Sequence, residues 1–511
     1  MTYPGTLATT TATLALALLA CHDNAKAPDV DPPTKPVIVL PEIPVDPYAQ
    51  PPGGASSPIL TINRDPRRAP ASNERPGTGA PTEAPAARRT ENGYEIRFPT
   101  GSPVPTPTIH HGKLLVSGGF NSKQIYAYQA ATGRPLWGQT LSDDGPSASV
   151  CEGNTCVFNS ESCTTFALDI RTGKLTWAWW LGDPQTSSPA LAGGRVFASY
   201  PAQSQIPTGA THVIAAFDLA TGKPLWRRWL DGDVMSSPVA VDGFVYLTTF
   251  AGTVMKLDQV TGDIRYAIAM RATSAPVVIR DHDRESLHIT RRVEERPDET
   301  KEAIVRADLG DTRLTFRAHA KMAPYLDSRI QDGTQLAKIG KIDDGENGFG
   351  STPGAANAGA ATGMVGVASV STMQRFQGSR VLVAGDLVVS TMGDEVVAVD
   401  STTGETRWRH PLTGDTRTAG GHLGTAPLLA GKDIVVATVS GDVVRLDAKT
   451  GKLAATYHTG APLRSQPVVE GGWIYVGSED GRLIAIDTHD PRLTGWPTWG
   501  GDNGRTAVRA L

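Results

Sequence analysis

From about residue 94 onward, apolar and polar positions alternate in short runs broken by glycine and aspartate. "TFALD" (165–169) is one such run, and alternation of this length predicts a β-strand. Asp169 ends the run and offers a carboxylate to the amides of a turn. Thr172-Gly173 follows, with glycine suited to the left-handed position of a tight hairpin. "KLTWAWWL" then returns as a second strand, and its Trp177 is a flat group suited to packing between sheets. The phrase recurs as "AYQAATGRPLWGQ" from Ala127, "AFDLATGKPLWRRWLDGD" from Ala216 and "KLDQVTGDIRYAI" from Lys256. It appears again as "AVDSTTGETRWRH" from Ala398 and "RLDAKTGKLAATY" from Arg445.

A second hairpin precedes most copies, as in "SSPALAGGRVFASY" and "SSPVAVDGFVYLTTF", so the repeating unit is four strands. The turn glycines Gly133, Gly173, Gly222 and Gly262 are 40, 49 and 40 residues apart, and Gly404 and Gly451 are 47 apart. Four-stranded units at this period predict propeller blades. With a degenerate unit at 274–320 and a last one from Ser465, the expected fold is an all-β, eight-bladed β-propeller of four-stranded blades. Tyr94–Phe98 is expected to complete the last blade, so that both ends of the chain close the ring. A Gly/Ala-rich insertion of about 325–378 interrupts the period, and insertions of that length inside a compact domain are usually functional or unstructured.

The pattern Asp-x-x-Thr-Gly-x-x-x-Trp in a four-stranded repeat resembles the PQQ-like β-propeller family, over about residues 94–508. The resemblance implies one of two things. Quinoprotein dehydrogenases of this kind bind pyrroloquinoline quinone (PQQ) and calcium in the funnel and oxidise an alcohol or sugar. Cofactor-free members, among them the eight-bladed lipoprotein of the outer-membrane barrel-assembly machinery, bind protein partners. "GWPTWGGDNGRTA" from Gly495 looks like a signature found near the start of many of those dehydrogenases. At the end of the chain it is read as a blade-closing element. The adjacent cysteine pair of the alcohol dehydrogenases is missing, and no Cys-x-x-Cys-His marks a haem. These departures favour the scaffold, with no cofactor expected and no catalytic residue assigned.

Composition changes the picture at the N-terminus. "TATLALALLA" is too short to span a bilayer and matches a signal-peptide core. Leu18-Leu19-Ala20-Cys21 resembles a bacterial lipobox, so 1–21 is read as a signal peptide and Cys21 as the lipidated residue. The preceding "MTYPGTLATT" departs from the usual pattern in carrying no Lys or Arg. Residues 22–92 are rich in Pro, Ala and Gly and are expected to form a disordered tether, leaving 93–511 as the propeller. The formal net charge of −4 and pI near 6.3 give no basic face for nucleic acid.

Four cysteines are present. Cys151 and Cys156 flank a four-residue turn, Glu152–Thr155, in "SVCEGNTCVFNSESCT", and on facing strands they come within bridging range in an export compartment. The alternative is two buried thiols. Cys163 is left over, in a loop whose face also carries Glu161, Tyr200, Arg271, His422 and Arg464. That set is the candidate ligand face, and a thiolate, an imidazole and a carboxylate are metal-ligand types, though without ligand spacing. Asp343-Asp344-Gly345-Glu346-Asn347 departs from a calcium loop, and no G-x-S-x-G, H-E-x-x-H or P-loop occurs. The reading is therefore an exported, lipid-anchored propeller acting as a protein-binding scaffold in the bacterial cell envelope, periplasm-facing or surface-exposed. A PQQ- and calcium-dependent dehydrogenase is the alternative, and a small-ligand or metal sensor using Cys163 and His422 is a third.

Overall fold

The computed structural model describes Ala69 and residues 75–160, 164–182, 187–202, 210–269, 272, 274–281, 284–296, 299–308, 315–324, 380–415, 419 and 422–509. The chain divides into two units, Met1–Leu40 and Pro41–Leu511, and every described residue belongs to the second. Cys21, the signal peptide and the 325–378 insertion lie outside the described residues.

The strands form eight sheets. In chain order they span 108–141 (sheet I), 150–180 (II), 190–230 (III), 239–269 (IV), 277–324 (V), 382–411 (VI), 428–458 (VII) and 468–487 (VIII). Within a sheet, successive antiparallel strands occupy positions a to d, with a nearest the axis. The fold is an all-β propeller. Seven of the sheets are blades of the regular form. Sheet V departs from it, and the expected eight blades are corrected accordingly. Its strands Arg284–Arg296 and Glu299–Asp308 are 13 and 10 residues long, against 8 or fewer in the regular blades. The Asp-x-x-Thr-Gly turn that ends strand c in sheets II, III, IV, VI and VII is missing from this sheet.

Position d of sheet VIII is filled by Gly93–Arg97, which pairs with Arg482–Asp487 in a register that sets Tyr94 opposite Ala485. Three more N-terminal strands lie outside position d. Arg75–Pro76 pairs with Leu175–Trp180, Gly79–Thr82 with Arg134–Leu141, and Arg88–Thr90 with Gly93–Arg97. The tether expected over 22–92 is corrected here, since 75–90 belongs to the ring. An outermost strand needs only backbone partners on one side, so it requires no run of apolar side chains. Pro76 and Pro81 are tolerated there because the missing N–H costs a ladder bond only inside a sheet.

Sheets join through one repeated contact. Trp137, Trp177, Trp226 and Trp408 stand on strand d opposite small partners on strand c, namely Ala127, Ala167, Ala216 and Ala398. Each indole N–H donates to a carbonyl of the next sheet, at Ile170, Leu219, Gln259 and Ala448, over 2.8–3.1 Å. Each ring lies under the next sheet's turn glycine. A Cβ at Gly173, Gly222, Gly262 or Gly451 would sit 2.5–2.6 Å from the indole. Tyr94 makes the same contact from sheet VIII to sheet I, with its hydroxyl donating to Ala130 O at 2.5 Å and its ring under Gly133.

The turn itself is built on a carboxylate. In sheet III, Asp218 Oδ1 accepts from Thr221 N–H at 2.9 Å and Thr221 Oγ1 at 2.7 Å, while Gly222 takes φ +69°. Thr221 holds the Asp218 carboxyl below the usual range, and Arg171 does the same for Asp169. At Asp258, partial burial pushes upward, but bonds from Thr261, Arg265 and Val260 outweigh it and lower the group to about 2.

Trp226→Ala is expected to lower unfolding free energy by about 3–5 kcal/mol, the range for large-to-small core changes. Leu225→Ala beside it, at an exposed position, is expected to change stability by less than about 0.5 kcal/mol. Urea unfolding followed by tryptophan fluorescence separates the two, and equal losses would overturn the junction assignment.

The depressed turn carboxyls set the acid response. Their unfolded-state pKa is about 3.9, so the stability they add is complete above that value and is lost as pH falls through their lower folded values. The urea midpoint is expected to be flat with respect to these groups above about pH 5 and to fall steadily from about pH 4 toward about pH 2. Titration of the midpoint against pH checks this.

Candidate functional site

Antiparallel order sends the a–b and c–d connections of every sheet to one face of the ring, here the turn face. The b–c and d–a connections go to the other, the loop face. Between the a–d strands of the sheets, the two longest connections, 325–381 between Pro324 and Leu382 and 412–427 between Pro411 and Leu428, both belong to the loop face.

On the loop face, carboxylates of one sheet's exit grip hydroxyls of the next. Asp143 accepts from Ser160 Oγ at 2.7 Å and Thr164 Oγ1 at 2.6 Å. Asp231 accepts from Thr249 Oγ1 and Thr253 Oγ1, both at 2.7 Å. Burial pushes the Asp231 carboxyl up in spite of those two bonds.

Of the candidate face, Tyr200, His422 and Arg464 are described, whereas Glu161, Cys163 and Arg271 lie outside the described residues. Tyr200 ends strand b of sheet III and is buried. His422 stands half-buried at the entry to sheet VII. Arg464 donates to Ala419 O at 2.6 Å, which ties the entry of sheet VIII to the segment just before His422. Two of the three therefore meet through one connection, and Tyr200 belongs to a sheet four places away. Among the described residues no three His, Cys, Asp or Glu side chains converge as a metal site. Cys151 and Cys156 pair across the a–b hairpin of sheet II and are joined as a disulfide.

The turn face carries a feature that the sequence reading missed. The C-terminal segment 493–509 crosses the axis and bonds to the inner strands in turn. Val469 N–H donates to Trp496 O at 2.8 Å, Gly431 N–H to Thr494 O at 3.1 Å and Ile109 N–H to Pro497 O at 2.6 Å. Leu191 N–H donates to Asn503 O and Ala240 N–H to Gly504 O, both at 2.8 Å, and Val383 N–H to Ala507 O at 3.0 Å. Sheet II is reached by the Asn503 side chain, whose amide donates to Cys151 O at 2.6 Å and accepts from Cys151 N–H at 3.2 Å. "GWPTWGGDNGRTA" is thus corrected from a blade-closing element to an axial plug. Its glycines permit the close approach, since a Cβ on Gly504 would lie 2.1 Å from Ala240 O.

Behind the plug lies a buried cationic cluster. Arg505 is fully buried and donates to the carbonyls of Pro189 (3.1 Å), Ala148 (3.1 Å) and Trp499 (2.6 Å). Arg380, from the lead-in to sheet VI, donates to Arg505 O. The two guanidinium carbons stand 4.5 Å (Arg380) and 5.2 Å (Arg505) from the Trp499 ring centroid. Burial lowers both guanidiniums to about 9. A signal for Arg380 does exist in the chain. The lead-ins to the inner strands read "SSP", "SAP", "TAP" and "SQP", and Arg380 stands at the Ser, Ala or Gln position of that triplet.

A ring of four-stranded sheets about a self-plugged axis defines a β-propeller. The chain belongs to the PQQ-like propeller family described as outer membrane protein assembly factor BamB, which matches residues 80–204, 179–292 and 393–499. Three solved structures are similar. BamB from Moraxella catarrhalis is 18% identical with a TM-score of 0.46, covering 80% of this chain and 97% of its own. The computationally designed Ika8 protein is 15% identical with a TM-score of 0.49, covering 76% and 96%. The quinohemoprotein alcohol dehydrogenase ADHIIG from Pseudomonas putida HK5 is 11% identical with a TM-score of 0.49, covering 82% and 77%. No curated protein matches the chain.

Gly504→Ala is expected to destabilise the whole chain by about 1–3 kcal/mol, because the added methyl has only a backbone oxygen to displace. Chemical denaturation of the full chain measures this, and an unchanged midpoint would remove the plug from the folded core.

Proposed function

We propose that the chain is an exported, lipid-anchored propeller that holds protein partners in the bacterial cell envelope, with Cys21 as the anchored residue. The ring is taken as closed by Gly93–Arg97, and the segment between Cys21 and Arg75 as its tether. The observation that carries the reading is the asymmetry of the two faces. The turn face is occupied at its centre by the chain's own plug, whereas both of the longest connections emerge on the loop face. A rigid ring that displays long loops on one side is a protein-gripping shape. The family's description as an outer membrane protein assembly factor points to the same class of partner.

The test is photo-crosslinking in envelopes, with a crosslinker placed at His422 on the loop face or at Lys113 on the turn face. Adducts with outer-membrane assembly proteins are expected from His422 and not from Lys113. Equal yields, or none, would overturn the reading. Calorimetric titration of the full chain with PQQ and calcium, alongside dye-linked alcohol oxidation, separates the alternative. Saturable heat with turnover would replace the scaffold by a dehydrogenase.

A further inference from the structure

Two guanidiniums lie buried at the axis, and among the described residues neither forms an ion pair with a carboxylate. Arg380 is 2% exposed and Arg505 is 0% exposed. Arg505 spends its donors on carbonyl and hydroxyl oxygens, which satisfy hydrogen bonds without neutralising charge. Arg380 is worse served. Its Nη2 reaches Arg505 O, but its Nε and Nη1 have no hydrogen-bond partner. Trp499 Nε1, in the ring over which Arg380 lies, is buried and equally unpartnered. Beyond Arg505, the Ser188 hydroxyl beside Pro189 is also buried without a partner. Asp502, a carboxylate whose charge acts on both guanidiniums, forms an ion pair with neither and is engaged by Thr506 and by Arg509 at 3.2 Å.

Buried donors in native proteins are paired, and a buried charge without a counter-charge costs several kcal/mol. Three donors and two positive charges left open in one place require something that accepts hydrogen bonds and carries negative charge. We propose that Arg380 and Trp499 Nε1 form an internal binding site for a small oxyanion, a carboxylate or a phosphate, behind the C-terminal plug. The site is independent of the scaffold reading, because it uses the axis and not the loop face. Its ligand tightens the ring from within. Arg380 belongs to sheet VI, Trp499 to the plug, and the plug is bonded to sheets I, III, IV, VI, VII and VIII and, through Asn503, to sheet II.

The experiment is titration of the full chain, at constant ionic strength, with inorganic phosphate and separately with acetate, read by calorimetry and by the thermal unfolding midpoint. Chloride serves as the control. A saturable heat and a rising midpoint are expected with phosphate, with acetate or with both, and the arm that responds names the chemistry. Arg380→Met is expected to weaken binding at least about tenfold, the loss of a charge-assisted bond. It is also expected to be at least as stable as the parent in anion-free buffer, since an apolar group replaces an unpaired buried charge. Trp499→Phe keeps the ring under the guanidinium and removes only the N–H, so it should weaken binding several-fold. No saturable response to either anion, or parent-like affinity in Arg380→Met, overturns the site. If Arg380→Met does not fold, Trp499→Phe decides, and unchanged affinity there overturns it.

Discussion

The ring depends on an aromatic side chain of one sheet lying flat against a glycine of the next. The two requirements on that glycine coincide. The c–d turn needs a residue at positive φ, which glycine meets without strain, and the neighbouring indole needs a floor with no Cβ. The turn also leaves the carbonyl after its aspartate free to accept the indole N–H. Turn chemistry and sheet-to-sheet docking are therefore one device, and a change at the glycine breaks both. Because sheets I, II and III each contribute the aromatic on one side and the glycine on the other, the contact propagates from one to the next.

Where the aromatic is missing, volume moves to the other strand. Sheet VII has Ala455 where sheets I, II, III and VI have tryptophan, and its strand-c partner is Arg445 in place of alanine. Arg445 fills the space, pairs with Asp433 through Nε at 3.0 Å and reaches Asp490 of sheet VIII at 3.3 Å. In sheet IV the pair is Lys256 and Tyr266, and Lys256 Nζ crosses to Glu285 of sheet V at 2.7 Å. Sheet V itself reaches sheet VI through Arg306, which donates at 2.8 Å to Ser401 O, the carbonyl that an indole takes elsewhere. A buried ion pair is a poorer source of stability than a packed indole, though breaking one is costly. The junctions of sheet IV with sheet V and of sheet VII with sheet VIII are thus the ones held by ion pairs.

The local part of this fold was legible in the sequence. The Asp-x-x-Thr-Gly turn, the tryptophan four residues after its glycine and the alternation of the strands are short-range patterns, and they return as hairpins in the expected register. Tyr94 was legible as part of a strand of the last blade because an aromatic stood in an alternating run ahead of the first repeat, but its hairpin partner Arg88–Thr90 was not. Residues 75–90 were not legible, since an edge strand is specified by backbone pairing and carries no apolar signature. The plug was not legible either. Its bonds join residues hundreds of positions apart, as from Asn503 to Cys151, and no periodicity records them. Arg380 lay in view as an odd residue in a regular lead-in, yet its meaning depends on Arg505 and Trp499, which only the folded axis brings to it.

Both ends of the described chain finish on sheets made earlier or later in sequence. Gly93–Arg97 completes a sheet whose other strands begin at Val468, and 493–509 bonds to inner strands from Ile109 onward. Such pairings bring distant residues together, so they form late and slowly in folding. Until the plug seats, Arg505 and Trp499 are in solvent and the guanidinium of Arg380 has no ring to lie on. The buried charge at the axis is thus created when the plug seats on the turn face. The free energy of that step must carry the desolvation of two arginines. An oxyanion taken up as the plug closes would offset much of that cost.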